Sequence, residues 1–181
     1  VNILDVGGTE NFWIQMGFNE MKDIQLTILN ITEQEISAKD NISFIKGDAT
    51  DLGMLDDKSF DMVFSNSVIE HIPVTENRLK MAEEIMRVGK RYFVQTPNYY
   101  FPFEPHFLFP CFQYFPLKIK LFLLKRFNMG WFTKCVNDNE ALELLRFNQL
   151  LKLSELKSCF PGFRIIPEKF LFLNKSFIAV K

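Results

Sequence analysis

Val1-Asn2-Ile3-Leu4-Asp5-Val6-Gly7-Gly8-Thr9-Glu10-Asn11-Phe12-Trp13 is the stretch whose reading decides the fold. An apolar run ends in an acid, then two glycines, then polar residues able to open a helix. Buried parallel strands have this form. Glycines at the carboxyl end let the backbone turn sharply and approach a ligand, because no Cβ stands in the way. In open α/β sheets, ligands sit in the crevice outside those strand ends. Taken alone, such a turn fits an ordinary strand-to-loop connection equally well.

The pattern repeats outward from there. Asn11 to Gly17 predicts a helix, and Gln25 to Ile31 a second buried strand. Thr32 with Glu35 three residues on has the form of a capped helix start. Ser43–Lys46 and Phe60–Ser65 read as a third and fourth strand, closed by Gly47-Asp48-Ala49 and Asn66-Ser67. A helix is expected over Glu76 to Val88, ended by Gly89, with Leu79, Ala82, Ile85 and Met86 on its apolar face and Arg78 off it. Tyr92–Thr96 is the fifth strand, and Phe163–Ile166 and Ser176–Val180 are two closing strands. Strands alternating with helices indicate a mostly parallel α/β sheet in a single domain spanning 1–181.

Composition narrows the functional classes. The 181 residues are 48% hydrophobic and 24% charged, which suits a folded domain with a sizeable core. Lys plus Arg at 21 nearly balances Asp plus Glu at 22, so the charge implies no nucleic-acid partner. Cys111, Cys135 and Cys159 are widely spaced and odd in number, which fits free thiols in a reduced, cytoplasmic setting. The chain begins in a strand without an initiator Met, so a processed or truncated amino terminus with a preceding helix is expected.

The pattern breaks at Pro97. Five of the eight prolines lie between Pro97 and Pro116, interleaved with Phe101, Phe103, Phe107, Phe109, Phe112 and Phe115. Prolines at that density forbid a regular helix or central strand. From Pro105 through Asn137 there is no acid, while Lys118, Lys120, Lys125, Arg126 and Lys134 are basic. Helices are expected over Leu117–Phe127, Asp138–Leu145 and Ser154–Phe160. The insertion 98–150 admits three readings: a satellite core under a long loop, a lid over an apolar acceptor pocket, or a surface for anionic lipid headgroups through 101–134. Loops this long inside a compact domain are usually functional, which favours the lid.

Leu4-Asp5-Val6-Gly7-Gly8, Gly47-Asp48-Ala49 and Phe60-Asp61-Met62-Val63-Phe64-Ser65-Asn66-Ser67-Val68-Ile69-Glu70-His71-Ile72 together resemble the class I S-adenosylmethionine-dependent methyltransferases of the type 11 group. The resemblance implies a Rossmann-like, mostly parallel seven-stranded sheet with one antiparallel strand and helices on both faces. It implies S-adenosyl-L-methionine as cofactor, S-adenosyl-L-homocysteine as product, and a small-molecule acceptor. Asp5, Gly7 and Gly8 would lie under the methionine end, with Ser65 and Asn66 lining it through their backbones. Asn30 would face the ribose diol, Asp48 would accept from the adenine amine, and the Ala49 N–H would meet a ring nitrogen. Two positions depart from the family pattern: Thr9 and Asn11 replace the later glycines, and Asn30 replaces the usual acid. An acid at Asn30 is therefore expected to bind cofactor as well or better. A nicotinamide dinucleotide fits less well, since neither its Gly-x-Gly-x-x-Gly turn nor its strand-end acid is present.

Methyl transfer from a sulfonium is an in-line displacement that positioning alone can largely drive. A base is needed only if the acceptor must lose a proton. His71, after the fourth strand, and His106, beside Glu104, are the candidates. The more ordinary roles, ordering the turn before Pro73 for His71 and a surface loop position for His106, stand ahead of catalysis for both. Two isolated histidines and scattered cysteines have no metal-ligand spacing, so no metal site is expected. The alternatives are a catalytically silent methyltransferase-like binding module and a membrane-peripheral enzyme acting on a lipid-like acceptor.

Overall fold

The computed structural model describes residues 1–18, 21, 23–33 and 41–181. Five parallel strands form its frame: β1 (Asn2–Val6), β2 (Gln25–Asn30), β3 (Ile42–Lys46), β4 (Met62–Asn66) and β5 (Tyr92–Pro97). Between Pro97 and the closing strands lie two short ones, β6 (Phe103–Glu104) and β7 (Phe109–Pro110). The chain closes with β8 (Arg164–Phe170) and β9 (Leu173–Val180), and the seven-stranded order is β3-β2-β1-β4-β5-β9-β8. β9 runs antiparallel to both its neighbours. Strand order reverses between β1 and β4, which opens a crevice at their carboxyl ends.

Period-two alternation sends successive side chains to opposite faces. Leu4, Val6, Val63, Val94 and Ala179 go to one face and meet α2 (Thr75–Val88) and α5 (Leu153–Cys159) through Met81, Ala82, Ile85 and Leu156. Ile3, Leu26 and Ile28 go to the other and meet Phe18 and Trp13, the latter on α1 (Glu10–Gln15). Helices thus lie on both faces, as expected. The proposed cap pair Thr32–Glu35 falls partly outside the described residues.

Helix α2 corrects two details. Its buried stripe is Arg78, Met81, Ala82, Ile85 and Val88, whereas Leu79 is 36% exposed. Arg78 turns inward because each guanidinium nitrogen finds an acceptor: the Ile72 carbonyl at 2.7 Å, Gln149 at 3.3 Å and Glu155 at 3.4 Å. Gly89 ends the helix without a left-handed turn, at φ −95°. The last carbonyls are capped instead by Lys58, whose Nζ donates to Met86 at 2.6 Å and Gly89 at 2.9 Å. Gly89 is there for space: a Cβ would come within 2.6 Å of Val63 Cγ2.

The insertion carries its own small core. β6 and β7 form a hairpin, followed by α3 (Leu117–Arg126) and α4 (Asp138–Arg146). Phe107, Phe112, Leu124, Met129, Cys135 and Ala141 are buried together, with Phe109 and Phe115 against them. Four of the six phenylalanines are used this way, so the satellite-core reading describes them better than an irregular lid does. Phe101 and Phe103 stay outside that core.

Gly89→Ala is expected to destabilise by roughly 1–3 kcal/mol through overpacking, lowering the melting midpoint by about 2–4 °C per kcal/mol. An unchanged midpoint would mean that the packing against Val63 is loose.

Candidate active site

The turn after β1 is built around a buried acid. Asp5 is 1% exposed; its Oδ2 accepts from Trp13 Nε1, while Oδ1 is buried without a partner. Burial raises its pKa from 3.8 to about 6, only partly offset by the Trp13 bond. Gly7 has φ +82°, and its N–H donates to the Leu29 carbonyl at 2.7 Å. A Cβ on Gly8 would overlap the Asp5 carboxylate. The two glycines are therefore fixed by different constraints, one by backbone conformation and one by the acid beneath it.

Asn30, at the end of β2, is engaged with the turn after β1. Its Nδ2 donates to the Gly8 carbonyl at 3.1 Å and the Gly7 carbonyl at 3.3 Å, and its Oδ1 accepts from the Thr32 N–H at 3.2 Å. Two carbonyls on one side and an N–H on the other set the amide's orientation. An acid could not donate those bonds. Asp48 is exposed after β3, and its Oδ1 accepts from both the Thr50 N–H and hydroxyl at 2.8 Å. Ala49 follows it, packed against the main core. At the end of β4, Ser65 is buried with an unpartnered Oγ and Asn66 is exposed.

A cavity of about 740 Å³ lies on the α1 side of β4, β5 and β9. Phe64 stacks on Phe93 at 4.9 Å and on Phe12 at 5.7 Å along its floor. It reaches the carboxyl ends of the strands through Asn66, Ser67 and Asn98, where Phe101 and Phe103 line it. The insertion thus contributes to this cavity from the strand ends.

The two histidines, 35 residues apart, come together. Their rings are 5.0 Å apart and edge-on. His71 Nδ1 lies 2.8 Å from the Phe147 carbonyl, and His106 Nδ1 lies 2.7 Å from Glu104 Oε1. Desolvation lowers the His71 pKa. Beside them Glu70 is fully buried, its Oε2 accepting from Thr96 at 3.0 Å and its Oε1 unpartnered. Burial raises this carboxyl from 4.5 to about 7.

Comparison with known proteins agrees with this architecture. Residues 7–92 match the family model described as a methyltransferase domain. That match covers a little under half of the chain and contains the turn after β1 and the β4 strand end. Two uncharacterized proteins from two strains of Mycobacterium tuberculosis are each 40% identical over 58 residues, which is 32% of this chain and 20% of theirs. The match therefore spans about a fifth of the length of those relatives. A SAM-dependent methyltransferase from Archaeoglobus fulgidus superposes with a TM-score of 0.59 at 16% identity, covering 99% of this chain and 86% of that one. One from Methanosarcina mazei gives 0.57 at 15% identity, covering 99% and 90%. These two likenesses speak to the fold.

Sequence reasoning missed three residues of the crevice region. Trp13 as the partner of Asp5 had no signal beyond helical proximity. Glu70 sat in plain view beside His71, but only the turn at Ile69–His71 reveals that it points inward. Glu104 was visible as a neighbour of His106, without its role in holding the ring. Among the described residues no helix is long and apolar enough to cross a membrane.

Proposed function

We propose that the chain transfers the methyl group of S-adenosyl-L-methionine to a small acceptor with an apolar or aromatic body. The observation that carries this reading is Asp5, a buried carboxylate with one unpartnered oxygen beneath the Gly7–Gly8 turn. That oxygen suits an ammonium group, and glycine backbone close to it suits a carboxylate, so the methionine end of the cofactor fits. Asp48 and the Ala49 N–H take the adenine edge, and the Ser65 and Asn66 backbones line the methionine side. Asn30 acts as a positioning residue by holding the turn's carbonyls. When bound, the cofactor supplies an electrophilic methyl on a sulfonium. The chain's part is then to hold the acceptor in line and to keep water away, which is where most of the rate of such a displacement arises.

The acceptor reading rests on the cavity, whose floor is the Phe12, Phe64 and Phe93 stack and whose rim holds Phe101 and Phe103. Asn30→Asp should weaken binding of S-adenosyl-L-homocysteine by about 1 kcal/mol, because the part-buried carbonyls of the turn lose their donor and the turn its tie to β2, read by calorimetry. Turnover of S-adenosyl-L-methionine should appear with simple phenols and not with glycine. Phe101→Ala should raise the phenol KM with kcat little changed, the sign of lost uniform binding. Cofactor binding without turnover of any acceptor would instead favour a silent binding module.

A second reading concerns where the domain works. Phe170, Leu171, Phe172 and Leu173 at the β8–β9 turn are 58, 79, 96 and 52% exposed, with exposed Lys169 beside them. Phe122 and Trp131 of the basic insertion are also exposed, at 60 and 76%. Apolar side chains flanked by lysines suit an anionic bilayer surface. The chain should co-sediment with vesicles containing phosphatidylserine, and Leu171→Ser with Phe172→Ser should abolish it. A chain that stays in the supernatant at low salt contradicts the membrane reading.

A further inference from the structure

Glu70, His71 and His106 come from two parts of the chain that the fold alone brings together. Ser67, in a left-handed conformation at φ 56°, bends the backbone out of β4 into the turn Ile69–His71. That turn sends Glu70 inward and leaves His71 at the surface. The β6–β7 hairpin delivers His106 from the other side. One candidate ligand atom from each of the three residues lies within 4.8 Å of the others.

The surrounding bonds decide which atoms are available. A carbonyl oxygen can only accept, so His71 Nδ1 carries the proton it donates to Phe147. His106 Nδ1 donates to Glu104, whose other oxygen is held by the Phe107 N–H at 2.6 Å. In both rings the proton on Nδ1 leaves the Nε2 lone pair as the ligand atom. Metal-ligating histidines are held in this way, by a carbonyl or carboxylate on the far nitrogen. Glu70 adds a carboxylate whose Oε2 is fixed by Thr96 and whose buried Oε1 has no partner. An unpartnered buried carboxylate oxygen is costly to maintain, and a cation removes that cost.

We propose that Glu70, His71 and His106 bind a divalent transition-metal ion that clasps the insertion to the end of β4. Two imidazole nitrogens and one carboxylate oxygen suit zinc and its first-row neighbours. Ligand atoms about 2.0–2.1 Å from a tetrahedral zinc lie roughly 3.3 Å apart. Closing the cluster therefore needs shifts of at most about 1.5 Å, which the surface side chain of His71 can supply. The remaining coordination positions go to water or to an incoming ligand. This inference stands on the cluster's geometry and not on the methyl-transfer reading.

The test uses the full chain, free of any affinity tag and stripped with chelator, titrated with zinc by calorimetry and with cobalt by visible absorption. One zinc per chain is expected, with a raised melting midpoint and a four- or five-coordinate cobalt spectrum. His71→Ala, at the surface and so safe for folding, should lose that binding. Glu104→Gln should weaken it by about 10–100-fold through the His106 ring. No stoichiometric zinc binding at micromolar concentration overturns the proposal. So does binding that survives unchanged in both variants while circular dichroism shows each folded.

Discussion

Asp5 is the constraint on which the crevice depends. A carboxylate at 1% exposure, held by one indole N–H, leaves its second oxygen without a protein partner. That arrangement fixes its neighbours. Gly8 must be glycine because the carboxylate occupies the space a Cβ would take, and Trp13 must lie on α1 to reach it. Asn30 then ties the turn's carbonyls to the end of β2. Burying an acid this way disfavours its charge, so the folded domain carries a local cost that a bound cation would offset.

The same logic recurs at the end of β4, with a second buried acid, Glu70. The two sites share a design: a strand ends, the backbone turns through a left-handed residue, and a carboxylate is left partly unpaired. Gly7 supplies the turn in the first and Ser67 in the second. The insertion supplies Glu104 and His106 to the second site, on a hairpin packed against its own phenylalanine core. The Phe-rich composition is thus divided between building that platform and lining the large cavity.

The sheet was legible in the sequence because apolar runs closed by Gly, Asp and Asn mark buried parallel strands, and β1 to β5 lie where those runs are. β8 and β9 extend past the expected Phe163–Ile166 and Ser176–Val180, because exposed hairpin residues such as Phe170 and Leu173 carry no burial pattern. Arg78 was misjudged because helical periodicity cannot foresee a buried guanidinium with three oxygen partners. The Glu70–His71–His106 cluster was illegible for a different reason. Ligand spacing is a local signal, and this set is assembled across the fold by a turn and a hairpin.

The central claim is that Asp5 is the charge that receives the cofactor, and the pH dependence of binding tests it most directly. With a free-state pKa of about 6, Asp5 is mostly protonated at pH 5 and mostly ionised at pH 7. An ammonium ligand favours the ionised form, so binding expels the proton and affinity falls as pH drops through about 6. Calorimetry of S-adenosyl-L-homocysteine should give about tenfold tighter binding at pH 7 than at pH 5, and Asp5→Asn should bind more weakly with that slope removed. Equal affinity at both pH values, or an unchanged slope in Asp5→Asn, would contradict the account.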